Sequence, residues 1–131
     1  MAGVEKTEKI TINLGLVDLG QIDLLVQEGF YANRTDFIRS AIRTQLASRA
    51  AALDQSVARR TLVLGSAHFS RARLEELRKA GQTVEIRVLG LATIAADVPP
   101  KLALQTISAV EVLGAFRASA AVRAALASRI V

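Results

Sequence analysis

The chain has 131 residues, 51% of them hydrophobic but only 4% aromatic, which allows one domain or two small ones around an aliphatic core. It has no cysteine, which excludes disulfides, thiolate metal sites and cysteine nucleophiles. A formal charge of +5 permits nucleic-acid binding without demanding it: residues 1–60 carry eight Lys/Arg against seven Asp/Glu, residues 61–131 nine against five, and the excess is spread rather than clustered.

Residues 1–8 are polar and are expected to form a mobile arm. In the stretch that follows, "KITINL", Ile10, Ile12 and Leu14 alternate with Lys9, Thr11 and Asn13. Strict alternation predicts a strand over residues 9–14 with one apolar and one polar face. Gly15 ends it. A first helix is predicted from about Val17 to Glu28, with Asp18 and Gln21 spaced as a capping box and Gly29 at the C-terminal cap. Leu19, Ile22, Leu25 and Val26 fall on one face of that helix.

"GFYANRTDF" reads as a short loop into a second helix, with Asn33 as N-cap and Asp36 at the positive end of the helix dipole. Phe37, Ile38, Ala41, Ile42 and Leu46 continue at helical spacing, and no breaker follows before Arg60. One helix over residues 34–60 would be roughly 40 Å long. Its second half, residues 53–60 at least, is expected to be a linker or stalk.

From Thr61 the texture changes. "LVLGSAHFS", "RVLGLATIA" and "EVLGAFRAS" resemble one another, with Gly65, Gly90 and Gly114 spaced by 25 and 24 residues. Leu77, Leu102 and Leu126 follow the glycines at one common offset. Repeats of this period predict stacked units. Each unit reads as a strand ending at its glycine, a small-residue turn, then a helical turn or loop. Pro99-Pro100 excludes a continuous helix in the middle unit. Residues 61–131 are therefore expected to form a small β-rich module, either a short β-solenoid or a compact α+β domain.

A strand and two helices in under fifty residues cannot close a core alone. The simplest remedy is a second copy, its Lys9–Leu14 paired antiparallel across a two-fold axis. Ile10, Ile12 and Leu14 would rest on the four helices, and Lys9, Thr11 and Asn13 would line the other face of a two-stranded ribbon. Such a ribbon fits the major groove of DNA. With "KITINLG", the amphipathic helix, the glycine-aromatic loop and "NRTDFIRSAI" in this order, residues 6–52 resemble the ribbon-helix-helix family of DNA-binding proteins (the Arc, MetJ and CopG group). The resemblance implies an α+β homodimer bound to double-stranded DNA, with domain limits near residues 9–52. It implies base reading by Lys9, Thr11 and Asn13 and phosphate binding by Asn33, Arg34 and Thr35. Many members have proline after the strand where this chain has Gly15.

Arg39 and Arg43 read as a solvated helix face or as dimer-edge charges. His68, the only histidine, reads as a polar loop residue, and one histidine without cysteine gives no metal site. No nucleophile–base pair or carboxylate cluster points to catalysis, so no enzyme and no cofactor are expected. The "VLG" segments lack the glycine patterns of phosphate loops. Their strands also resemble those of bacterial parallel β-helix modules such as the bactofilins, which implies higher-order assembly through residues 61–131. No basic-then-apolar leader and no apolar run of bilayer length occur, so the expectation is a cytoplasmic, nucleoid-associated regulator of transcription without a membrane partner. Two other roles fit the sequence: an antitoxin whose second half binds a toxin, and a structural or filament-forming nucleoid or DNA-segregation protein.

Overall fold

The structure, a computed structural model, describes residues 6–131; residues 1–5 of the expected arm lie outside the described residues. The chain divides into two compact units, Thr7–Gln55 and Ser56–Val131. No helix among the described residues is long and apolar enough to cross a membrane.

In the first unit, residues 7–15 carry no helix and no strand pairing. The expected strand over residues 9–14 is thus not formed within the single chain, since a strand exists only through a hydrogen-bonded neighbour and these residues find none among the described residues. Helix α1 is Leu16–Gln27. It begins one residue earlier than expected, with Gly15 at the N-cap and no side-chain cap, so the Asp18/Gln21 capping box does not form. Asp18 sits in the first turn, where its charge suits the dipole. Leu19, Ile22, Leu25 and Val26 do share the less exposed face. Gly29 closes the helix in the left-handed region (φ 84°).

Helix α2 is Arg34–Ser48 and α3 is Ala50–Arg59, in place of one continuous helix. The break lies at Arg49 (φ −112°, ψ 14°). The Ser48 hydroxyl donates to the carbonyl of Gln45 at 2.6 Å. That carbonyl is the i−4 acceptor the Arg49 amide would use, and the amide instead reaches Leu46 O at 3.1 Å. Competition of this kind between serine and backbone bends helices.

The second unit alternates strand and helix: β1 Val63–Phe69, α4 Arg71–Lys79, β2 Val84–Ile94, α5 Pro100–Thr106, β3 Ile107–Arg117 and α6 Ala120–Ala125, followed by a 3-10 turn at Ala127–Arg129. The strands form one parallel sheet in the order β1-β2-β3. Parallel neighbours need crossover connections, and here helices supply them. The expected strands are therefore present, but each strand runs on through its glycine, and full helices stand where short turns or loops were expected. Gly65, Gly90 and Gly114 are aligned across the three strands. Pro99 and Pro100 do interrupt the chain, yet they also start α5, Pro99 as N-cap and Pro100 in the first turn, where a missing N–H costs nothing.

Helix starts explain the leucine offset. Ser70 and Ser119 follow their strands at equivalent places and cap α4 and α6, accepting from Arg73 N and Val122 N at 3.2 Å each. The middle unit inserts Ala95–Val98 before its cap at Pro99. Leu77 and Leu126 thus lie seven residues after their caps, whereas Leu102 lies three after its own. Leu102 and Leu126 are buried and Leu77 is partly buried. The core is one cluster, aliphatic apart from Phe69, between the sheet and the helices. Buried Thr106 donates its hydroxyl to Leu102 O at 2.7 Å. Arg129 spans Leu104 O and Ile107 O at 2.6 and 2.7 Å, and Val131 N donates to Val110 O, fastening the last residues along β3.

Candidate nucleic-acid interface

Lys9, Thr11 and Asn13 are exposed on the extended segment that leads to α1. So are their apolar neighbours: Ile10 is 76% exposed, Ile12 61% and Leu14 39%. Ile22 is the one buried residue among Thr7–Gln55. Leu16, Val17, Leu24, Ile42 and Leu46 also face solvent. The unit therefore holds a large apolar surface with almost no interior of its own. Tyr31 and Phe37 meet edge to face, with centroids 5.0 Å apart, and brace the loop between the helices.

At the start of α2, Asn33 extends (φ −165°) and accepts from Asp36 N at 2.8 Å, as its N-cap role requires. Asp36 in turn accepts from Ala32 N at 2.9 Å. This reciprocal pair fixes the helix entry and leaves the amides of Arg34 and Thr35, the first two of the helix, without intrahelical acceptors. A cavity of about 390 Å³ opens here, lined by Ala32, Asn33, Thr35, Asp36, Arg39 and Arg43. Thr35, Arg39 and Arg43 stand four residues apart on one helical face.

Arg34 goes elsewhere. Its Nε and Nη2 donate to Oδ1 and Oδ2 of Asp23 at 2.7 and 2.8 Å, a fork-to-fork pair that ties α2 to α1. The structure thus brings Asn33 and Thr35 together with Arg39 and Arg43, which sequence reasoning had set aside, and turns the Arg34 side chain towards α1. The i,i+4 spacing after Thr35 was the available signal for the two arginines. No local signal marks Asp23, eleven residues from its partner.

The hydrogen bonds from Arg34 hold the Asp23 carboxyl below its ordinary value. A group with a lowered pKa in the folded state stabilises that state above its unfolded value, and the contribution is lost as pH falls through the folded value. Thermal melts of the native protein and Asp23→Asn, compared from neutral pH down into the carboxylate range, are expected to differ at neutral pH and converge in acid. Both groups are exposed, so the difference is expected to be small.

His68 is not in a loop. It lies in β1, and its Nδ1 is 2.7 Å from Thr93 Oγ1 on the neighbouring strand. Among the described residues no group of three His, Asp or Glu side chains could hold a metal ion.

No curated protein and no solved structure matches the chain. A family model described as the ribbon-helix-helix transcriptional regulator family matches residues 5–123. The match extends well beyond the resemblance read over residues 6–52, through all three strands of the parallel sheet. With most of its length covered, from the extended N-terminal segment into α6, the chain belongs to the ribbon-helix-helix transcriptional regulator family.

Proposed function

We propose that the protein is a homodimeric, sequence-specific regulator that reads the major groove with a two-stranded ribbon made from residues 9–14 of two copies. The observation that carries this reading is the extended segment itself. Its apolar residues are exposed and its backbone lacks a strand partner, beside two helices that bury only Ile22. A two-fold partner would supply both the missing hydrogen bonds and the missing interior.

On that ribbon Lys9 offers donors, Thr11 a hydroxyl and Asn13 an amide able to pair with adenine. Backbone contacts set the register: a phosphate at the start of α2 would meet the amides of Arg34 and Thr35, the Thr35 hydroxyl and the field of the helix, with Asn33 holding the turn. Arg39 and Arg43 reinforce the same side of α2. Only one ribbon residue is cationic, so backbone contacts contribute much of the affinity. Residues 61–131, which have a core cluster of their own, serve assembly beyond the dimer, with the outer edge of β1, which pairs with no other strand among the described residues, exposing Val63 and Leu64.

Gel shifts with selected and random DNA test the reading. Asn13→Ala is expected to cost about 1–3 kcal/mol of discrimination between the two. Thr11→Ala should act in the same direction. Thr35→Ala, which removes the hydroxyl from the phosphate site, is expected to weaken binding about equally on every sequence. Unchanged discrimination in both strand variants would overturn base reading by this segment.

A further inference from the structure

We propose that the open face of the parallel sheet is a contact surface for the same face of a second copy. All-parallel sheets are ordinarily covered on both faces. Here both crossovers step the same way along the order β1-β2-β3, and right-handed connections put their helices on one side. Ile86, Val88, Ala92 and Ile94 of β2 join Leu74, Leu102 and Val122 of the three helices in one cluster on that side. Alternation turns Leu89 and Leu91 the other way. They are only partly buried, and on the flanking strands Leu64 is 73% exposed and Leu113 41%. The register sets Leu64, Leu89 and Leu113 side by side, with Ser66, Leu91 and Ala115 in the next row of this face. The face has no second layer among the described residues of this unit.

Size and charge favour a second copy as that layer. A two-fold axis across the strands, between these two rows, lays each strand over its own counterpart running the opposite way. Leu64 then meets Ser66 of the other copy, Leu113 meets Ala115, and Leu89 and Leu91 meet in the middle. Large side chains fall opposite small ones on both flanks, as interdigitating sheets require. On β3, Glu111 and Arg117 stand at opposite ends of the face, so the same operation brings unlike charges together. At the Glu111 end, Arg87 donates to Glu85 at 2.9 Å and to Glu111 at 3.3 Å, and Arg60 also donates to Glu111. Two carboxylates and two guanidinium groups cancel there, so covering this row buries no uncompensated charge. A phosphate backbone would gain nothing from it.

The area sets the strength. At ordinary strand spacing and rise, three strands of about seven residues offer roughly 300 Å² per copy. Two such faces fall below the roughly 1,200 Å² of a stable complex, in the class of weak contacts. A weak contact works between copies already brought together, by the ribbon or on neighbouring DNA sites, because their effective concentration is high. This contact deepens, and rests on, the assembly role proposed above for residues 61–131, and moves it from the β1 edge to the sheet face.

The full chain carrying Ile12→Asp lacks ribbon pairing and isolates the contact. Sedimentation equilibrium of this protein is expected to show reversible dimerisation that grows with concentration. Adding Leu113→Asp is expected to raise the dissociation constant about tenfold or more, since two buried leucines are lost per dimer. Leu64→Asp should act the same way. Val63→Asp should leave association unchanged: Val63 is 57% exposed on the same edge strand but in register with Val88, on the helix side. Thermal melts establish that the C-terminal unit folds in each variant. An Ile12→Asp chain that stays monomeric at every concentration overturns the proposal. So does association that Leu113→Asp and Leu64→Asp leave unaltered; a lowered melting temperature alone would show a face covered within one chain. Loss with Val63→Asp but not with Leu113→Asp would assign the contact to the strand edge and overturn it as well. Failure of the ribbon reading shows separately: Ile12→Asp would then bind DNA as the native chain does, while Leu113→Asp alone still weakens association.

Discussion

Gly90→Ala and Gly114→Ala are each expected to destabilise the C-terminal unit by about 3 kcal/mol or more, as backbone strain adds to overpacking. The three repeat glycines sit in one cross-strand row with φ of 123°, 140° and 118°. A Cβ on Gly90 would lie 2.1 Å from the carbonyl oxygen of Gly65, and one on Gly114 2.1 Å from that of Gly90. The obstacle is backbone in the next strand, so no rotamer change relieves it; the ladder itself must open. Gly65 is at the free edge and would meet nothing within 4 Å. Gly65→Ala should therefore show the φ strain alone, about 1–2 kcal/mol. A domain of this size has only roughly 4–11 kcal/mol to lose. Urea unfolding followed by circular dichroism should rank the variants with Gly65→Ala mildest. Equal stability of Gly65→Ala and Gly90→Ala would show that the row does not act through close approach.

That glycine row was legible in the sequence as a repeat of nearly constant period, and its strands follow. The helices between them were not. α6 is only the six residues "AAVRAA", too short and too uniform to show a helical period, and α5 begins at a proline pair that reads first as a breaker. The serines that cap α4 and α6 were a usable signal, standing just beyond each strand. The inserted Ala95–Val98 hid the pattern by leaving the leucine offset intact while changing what each leucine does. In the N-terminal half the apolar face of α1, its glycine stop and the Asn33 cap were readable because they are local. The break at Arg49 depends on one hydroxyl competing for one carbonyl. The turn of Arg34 towards Asp23 depends on how two helices meet. Neither contact leaves a periodic trace. The contact of His68 with Thr93 was hidden for the same reason: it joins residues 25 positions apart, which only the sheet register aligns.

Ile12→Asp is expected to abolish the ribbon dimer, with Thr7–Gln55 unfolded and DNA binding lost, while the C-terminal unit melts as before. Ile12 is 61% exposed in the single chain, so within one copy the substitution touches almost nothing and should be nearly neutral. In the paired ribbon the same side chain would be buried twice, once from each copy. Full burial of an isoleucine contributes about 1.5–3 kcal/mol, and a carboxylate in its place adds the larger cost of an unpaired charge. The two outcomes are thus far apart, which makes the experiment decisive. Sedimentation velocity reads the assembly state, and fluorescence anisotropy reads DNA binding. Thr11→Ala, one residue away on the opposite face, should keep the dimer and lose only discrimination. Leu64→Asp, equally apolar and 73% exposed but in the C-terminal unit, should leave the ribbon dimer intact. A dimer that survives Ile12→Asp with native DNA affinity would mean that residues 9–14 do not pair between copies, and the partner of this segment would have to be sought elsewhere.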